Sequence, residues 1–565
     1  MLARMSPATP PGFADLFTPK LVTVLREGYG PAQLRVDALS GLTVAIVALP
    51  LSMAIAIASG VTPDRGLYAA IVGGFLVSLL GGSRFQIGGP AGAFIVLVAA
   101  TVARHGVEGL LVATLLSGAM LLALGLLRLG TYVKFIPYPV TVGFTAGIGV
   151  IILASQLREL LGLRLAGPEP AEVVPKLAAL GAALPTLNPS AVGVALLGIV
   201  TILGLKRLRP GWPGMLVAVA LCALLAWAFA LPVETIGSRF GGIPGGLPAP
   251  RLPEVTPERI AAVLPDAIAS TLLGAIESLL SAVVADGMTG RRHRSNCELM
   301  AQGVANIGAA LFGGICVTGT IARTATNVRS GAVGPVSGMM HSVFLLLFML
   351  VAAPLAGFIP LAALAAVLVV VAWNMVERHA IAALVRASRG DAVVLFATMA
   401  LTVLRDLTEA IVVGVALGTI LFLNRMAGAV SVEALPPGRR IVAEDSADAR
   451  GAARIPYDPG SATDPEVVVY RISGAFFFGT AGTVGAALDR IADGARTLVL
   501  DFSAVPILDS TAANVIEGFL RKAERGGARI VITGATSPIR HVLLSQGVRP
   551  PRVRYAARIE DALAA

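Results

Sequence analysis

The residues best able to do chemistry sit where the chain is otherwise apolar. The stretch GGICVTGTIARTATNVRSG, residues 313–331, carries Arg323 and Arg329 among glycines, between segments hydrophobic enough to cross a bilayer. A second charge, Glu277, lies in AIASTLLGAIESLLSAVVADG, which reads as one helix. Charge inside a span is costly and by default marks an ion or proton pathway, so Arg323 is read as an anion ligand. Its alternative use is to pair with a carboxylate and orient two helices. An isolated carboxylate such as Glu277 can carry a proton, because burial disfavours its charged form, or ligate sodium where other oxygens are near. Its alternative use is a structural hydrogen bond, or service as the partner of Arg323. Ser270, Gly274, Glu277 and Ser281 recur at helical spacing on one stripe, with Ser278 beside it; that stripe faces protein or a wet cavity rather than lipid. Arg329, about two turns beyond Arg323, reads as an interfacial arginine whose stem snorkels. Asp286 reads as a helix-end residue on a solvated face.

The elements that must position these groups are broken helices. In the first half of the chain two apolar helices precede SRFQIGGPAGAFIVLVAATVARHG, where glycines and Pro90 interrupt any continuous helix. In the second half two apolar helices, beginning near residue 263, precede residues 313–331. Paired, interrupted third segments point to an inverted-repeat transporter with its site at the midplane. If QIGG and CVTG are extended and enter from opposite faces, the following helices start at about Pro90 and about Ile321. Their free N–H groups and positive dipole ends then converge on one cavity. Pro90 suits a first helical position, and Arg323 adds a full charge from the first turn of the second helix. Together these make an anion site.

Composition agrees. The 565 residues are 56% hydrophobic and 14% charged, with mean hydropathy +0.81, which describes a polytopic membrane protein. The expected organisation is a cytoplasmic leader over 1–38 without signal-peptide features, a transmembrane transport domain over 39–430, a linker over 431–465 and a soluble domain over 466–565. At about 20 residues per crossing the apolar part holds about fourteen spans. Arg84, Arg128, Lys134, Lys206, Arg207, Arg209, Arg291, Arg292, Arg294, Arg378, Arg386 and Arg389 fall in loops of one side, which the positive-inside rule makes cytoplasmic together with both termini. In RRHRSNCEL the basic residues follow that topology, with Ser295 or Asn296 as a helix cap and lipid-headgroup binding as a second reading. The formal charge of +10 is spread over loops, so no nucleic-acid partner is expected. Three cysteines without paired spacing and five scattered histidines give no disulfide framework and no metal site. No cofactor motif is visible. No nucleophile–base pairing occurs in the spans, so an enzyme is not expected.

Residues 466–565 alternate strand and helix: EVVVYRISGAFFFG, RTLVLDFSAVP and ARIVITG are strands, with helices between and after them. This is a small α/β domain. LDSTAANV puts Asp509 and Ser510 at a helix N-terminus, where the hydroxyl caps the helix and a phosphate would be tolerated.

These motifs carry a resemblance. The chain resembles the SulP anion transporters, bacterial relatives of the animal sulfate transporters and prestin, through DALSGLTVAIVALPLSMAIAIASGV, GAIESLLSAVVADGMTG, NCELMAQGVANIGAALFGG and IARTATNVRSGA; LDFSAVPILDSTAANV resembles a STAS domain. The resemblance implies a uracil-permease-like fold of fourteen segments in two inverted repeats of seven, a core moving against a gate, and a homodimer in a bacterial inner membrane. It places the anion between the third and tenth segments, against Gly89, Pro90, Ala91, Phe94, Thr320 and Arg323. It makes Glu277 the coupling carboxylate and Ser510 a position open to regulatory phosphorylation, with a cytoplasmic protein partner for the STAS domain. Sodium-coupled bicarbonate members carry Asp where this chain has Glu277, and threonine where it has Ile321; the lost hydroxyl favours a proton as co-substrate. GAIESLL and VAWNM resemble the branch that carries C4-dicarboxylates, while sulfate is the commonest substrate of the family. The expected function is proton-coupled import of sulfate or a dicarboxylate. The alternatives are an anion exchanger or bicarbonate or chloride transporter, and a membrane sensor centred on the STAS domain.

Overall fold

Runs of Leu, Ala, Val and Ile long enough to cross a bilayer satisfy their backbone groups internally only as helices. The computed structural model, which describes residues 12, 16–131, 136–167, 169, 170, 172–209, 212–405, 407–435, 467–491 and 496–563, is built on that rule. Lys134, residues 1–11 of the expected leader and residues 436–465 of the expected linker lie outside the described residues. The chain divides into two compact units, residues 1–416 and 417–565.

In the first half, α1 (Pro31–Ala58) and α2 (Pro63–Leu80) lead into β1 (Gly88–Gly89), a 3-10 turn over Gly92–Phe94, and α3 (Ile95–Leu126). Then come α4 (Tyr138–Leu161), α5 (Pro189–Leu208) and α6 (Gly214–Ala228). The second half repeats the order: α7 (Pro257–Thr289), α8 (Ser295–Leu311), β2 (Thr318–Gly319), α9 (Ile321–Arg329), α10 (Val336–Ala356), α11 (Leu361–Met375), α12 (Arg389–Leu404) and α13 (Leu407–Gly428). Gly106, at φ 67°, breaks α3, so that helix makes two crossings, and each half then supplies seven. Nine helices among the described residues are individually long and apolar enough to span. Helix α9 is short because the first part of its crossing is extended.

Helix starts follow local chemistry. Pro189 opens α5 behind Asn188, whose side chain accepts the Ser190 N–H. Helix α7 begins at Pro257, ahead of the expected position near 263, because Thr256 accepts the Arg259 N–H and caps a polar first turn. In packing, α7 and α8 lie along α3, and α10 along α1 and α2; α11 and α12 lie along α4, and α6 and α11 along α5. The first group is the core that carries the candidate site. One close seam is at Gly118 and Gly303, where a Cβ on either would stand 2.6–2.7 Å from the other's carbonyl oxygen.

The second unit carries a five-stranded sheet in the order β3-β4-β5-β6-β7 (Ser431–Leu435, Val467–Ser473, Thr497–Ala504, Arg529–Thr533, Arg554–Ala556), antiparallel for β3/β4 and parallel thereafter. Residues 431–435, expected as linker, are thus a strand of this sheet. Val432 alternates with polar neighbours, a two-residue period too short to stand out from a polar linker. Helices α14 (Phe478–Ile491), α15 (Ser510–Arg525), α16 (Ser537–Ser545) and α17 (Ile559–Leu563) complete the α/β domain. Asp509, not the Ser510 hydroxyl, caps α15: its carboxylate accepts from Ala512 N–H at 2.8 Å and Phe478 N–H at 2.8 Å. Ser510 is exposed.

Candidate anion site

Strands β1 and β2 pair antiparallel, Gly88 with Gly319 and Gly89 with Thr318. The chain therefore leaves the pair in opposite directions, and α3 and α9 start beside it with their N-terminal ends converging. First-turn N–H groups lack intrahelical partners, and the helix dipoles add positive potential at the same place.

The expected start of the first helix is corrected. Helical geometry begins at Gly92, with Ala91 extended at ψ 148°, so Pro90 is not a first helical residue but part of the extended segment. Its carbonyl accepts from Arg323 Nη2 at 3.2 Å. Helix α9 begins at Ile321 behind an extended Thr320. The N–H and Oγ1 of Thr320 both donate to Ile87 O, at 3.0 and 3.2 Å. Its hydroxyl proton is committed to the backbone, which leaves only lone pairs toward a ligand.

Arg323 is 1% exposed. Nη2 also donates to Ser52 Oγ at 3.2 Å, while Nε and Nη1 have no partner. Nη1 lies so close to Gly89 that a Cβ there would collide with it. Among the described residues no carboxylate lies within 4.0 Å of the guanidinium, so Arg323 does not form the helix-orienting ion pair that was its alternative use. Ala91 and Phe94, just after Pro90, are buried, and the Phe94 ring reaches α7 at Gly274.

Glu277 is half-buried one turn beyond Gly274, and its Oε2 has no partner. The stripe around it packs on the second broken segment. Thr318 Oγ1 donates to Gly274 O at 3.2 Å, Ser281 Oγ to Thr324 Oγ1 at 3.1 Å, and Cys316 Sγ lies 3.9 Å from Ser270 Oγ. Ile321, half-buried at the start of α9, brings no side-chain oxygen. Arg329 is exposed at the far end of α9. Asp286 accepts from the ring and backbone N–H of His293 at 2.7 and 3.1 Å. Neither Ser295 nor Asn296 caps α8: Ser295 Oγ meets His293 Nε2 at 3.0 Å, and Asn296 accepts from Gly130 N–H at 3.1 Å.

Several residues that hold the site are not apparent from the anion-site motifs. Asn306 clasps the approach to β2, accepting Val317 N–H at 2.9 Å and donating to Val317 O at 2.7 Å. Glu298 accepts Ser83 N–H at 3.0 Å and Gln86 Nε2 at 2.9 Å on the approach to β1. Thr324 accepts Ile87 N–H at 3.1 Å, and Asn327 Nδ2 donates to Phe85 O at 2.9 Å. His341 on α10 is fully buried with neither ring nitrogen partnered, within reach of the Arg323 charge. The available signal is spacing: Glu298, Gln302 and Asn306 recur every four residues on one helix face.

A buried guanidinium with two unpartnered nitrogens, beside two converging helix ends, has the chemistry to bind an oxyanion through charge-assisted bonds. Gly89→Ala would force the guanidinium aside while leaving every charge in place. It is expected to weaken anion binding at least tenfold, measured by calorimetry, with the purified protein's elution profile unchanged.

The fold and site define a multi-pass membrane transporter of small anions. The chain belongs to the sulfate permease family, whose model matches residues 34–398, and it carries a STAS domain matched over residues 459–549. It is 39% identical over 530 residues, 92% of this chain and 95% of the other, to YvdB of Bacillus subtilis (strain 168), named as a candidate sulfate transporter. It is 31% identical over 522 residues, 90% of each chain, to the bicarbonate transporter BicA of Picosynechococcus sp. (strain ATCC 27264 / PCC 7002 / PR-6). The solved transmembrane domain of a cyanobacterial BicA superposes with TM-score 0.61 at 33% identity, covering 68% of this chain and 98% of that one. The murine anion transporter Slc26a9, in its inward-facing state, shares the fold across 99% of this chain and 96% of its own, at TM-score 0.82 and 18% identity. These relatives are named as transporters, not enzymes.

Proposed function

We propose that this chain imports an oxyanion, sulfate or a C4-dicarboxylate, together with a proton, by alternating access across a bacterial inner membrane. Both termini are cytoplasmic in this reading, and the protein is a homodimer. The observation that carries it is Arg323, buried against Gly89 and Pro90 with two nitrogens unspent and, among the described residues, no carboxylate within 4.0 Å. Ala91 and Phe94 wall the anion, and the Thr320 backbone shapes its seat. Glu277 carries the proton, since its carboxylate is free of Arg323 and Ile321 offers sodium no oxygen. Sulfate is favoured by the YvdB likeness; a dicarboxylate rests on GAIESLL and VAWNM alone. Ser510, exposed at the first position of α15, is the modification point of the STAS domain, where a cytoplasmic protein partner would read it. The likeness to BicA supports a second reading, bicarbonate transport or anion exchange, in which Glu277 is structural.

Purified protein in liposomes, given labelled sulfate, succinate or bicarbonate with and without an inward proton gradient, separates these. Sulfate or succinate uptake driven by the pH gradient without sodium is the expected result. Bicarbonate uptake or gradient-independent exchange would favour the second reading. No uptake of any of the three would point to a STAS-centred sensor.

A further inference from the structure

We propose that the face of the core carrying the helix Lys20–Arg26 holds a second anion site, for a phosphate-bearing ligand, built from Lys20, Arg84, Arg291, Arg292 and Arg294. Its occupant is the headgroup of an anionic phospholipid. Three segments remote in sequence are tied together there. In the short helix Lys20–Arg26, Lys20 donates its backbone N–H to Gly81 O at 2.9 Å. Arg294 reaches the approach to that helix and its first turn through Nη1, donating to Thr18 O at 2.8 Å and Thr23 Oγ1 at 2.9 Å. The Arg294 N–H in turn donates to Gly82 O at 2.9 Å.

Few acidic groups face these cations. On the N-terminal segment Glu27 is taken by Arg84, and on α7 Asp286 is taken by His293. Among the described residues, Lys20, Arg291, Arg292 and Arg294 have no carboxylate within 4.0 Å. Arg84 is 8% exposed, and its Nε has no partner. The Lys20 ammonium is held below the ordinary lysine value, first by burial and then by the charges of Arg294 and Arg84; Asp286 and Glu27 act the other way and do not prevail. A shallow cavity of about 460 Å³, lined by Asp286, Gly290, Arg291, Arg292 and His293, opens beside them.

Cations crowded at their own cost are relieved by an anion with several acceptor oxygens, which a phosphate diester supplies. The cluster lies at the start of α1 and the end of α7, two helices long and apolar enough to span, and basic pockets at the ends of spans take lipid headgroups. It also adjoins the machinery of the first site, because Glu298, four residues after Arg294, holds Ser83 and Gln86 ahead of β1. A bound headgroup would therefore stiffen the loop that orders β1.

The test is thermal unfolding of the full chain in neutral detergent with added phosphatidylglycerol, phosphatidylcholine or inorganic phosphate, a readout that does not depend on the transport reading. Phosphatidylglycerol is expected to raise the melting temperature and phosphatidylcholine to leave it unchanged. Lys20→Gln with Arg291→Gln should keep the wild-type melting temperature in phosphatidylcholine while needing roughly 25-fold more phosphatidylglycerol, about fivefold per cation removed. Arg292→Gln, a single exposed change, should need about fivefold more. Equal phosphatidylglycerol responses in wild type and both variants, or none in wild type, would overturn the site. Stabilisation by millimolar inorganic phosphate equal to that of the lipid would overturn the headgroup as its occupant.

Discussion

Arg323→Ala is expected to abolish anion binding in a protein that still inserts and folds. The substitution removes the only full positive charge that the described residues place at the converging helix ends, and with it the two nitrogens, Nε and Nη1, that no atom of the described residues uses. Hydrogen bonds from a charged donor contribute about 1.5–3 kcal/mol each; losing two weakens binding by roughly a hundredfold to ten-thousandfold. Folding is spared because the guanidinium gives the core only bonds to Ser52 Oγ and Pro90 O, and burying a charge costs more than those return. Arg323→Lys separates charge from geometry: a point charge without the planar fork should keep weak binding and lose discrimination between oxyanions. Calorimetry with sulfate, succinate and bicarbonate reads both variants. Unchanged affinity in Arg323→Ala would place the anion elsewhere.

Glu277→Gln is expected to keep anion binding and exchange while losing uphill uptake. The carboxylate lies on a stripe that packs against β2 and α9, through Thr318 on Gly274 and Ser281 on Thr324, yet it forms no ion pair with Arg323. In the proposed mechanism an anion at Arg323 would add negative charge on the Glu277 side of the core, so proton and anion would bind with positive and reciprocal coupling. Glutamine copies the protonated side chain and cannot release a proton, so the substrate can still cross but no longer draws on the gradient. With one proton per anion at zero membrane potential, wild type should concentrate substrate about tenfold per pH unit, and the variant should only equilibrate it. A variant that still accumulates substrate on a pH gradient alone, or a wild type that needs sodium at constant pH, would falsify this coupling.

The glycine-broken third segments, the two-domain plan and the family were legible in the sequence because each rests on a local property. A helix cannot run through QIGGPAG, a bilayer tolerates charge only at a cost, and a crossing needs about 20 largely apolar residues. Arg323 and Glu277 stand out for the same reason: each is alone in its surroundings. Residues 431–435 were not legible as a strand because their partner, β4, is supplied by a distant segment. What Arg323 does with its five donors, that Thr320 spends its hydroxyl on Ile87, that Asp509 rather than Ser510 caps α15, and that Asn306 and Glu298 clasp the two extended segments were decided by the tertiary structure. Each depends on which donor and acceptor atoms the folded chain brings within about 3 Å, many of them on segments far apart in sequence. Periodicity tells which face of a helix is buried; only packing decides which buried donor is left for a ligand.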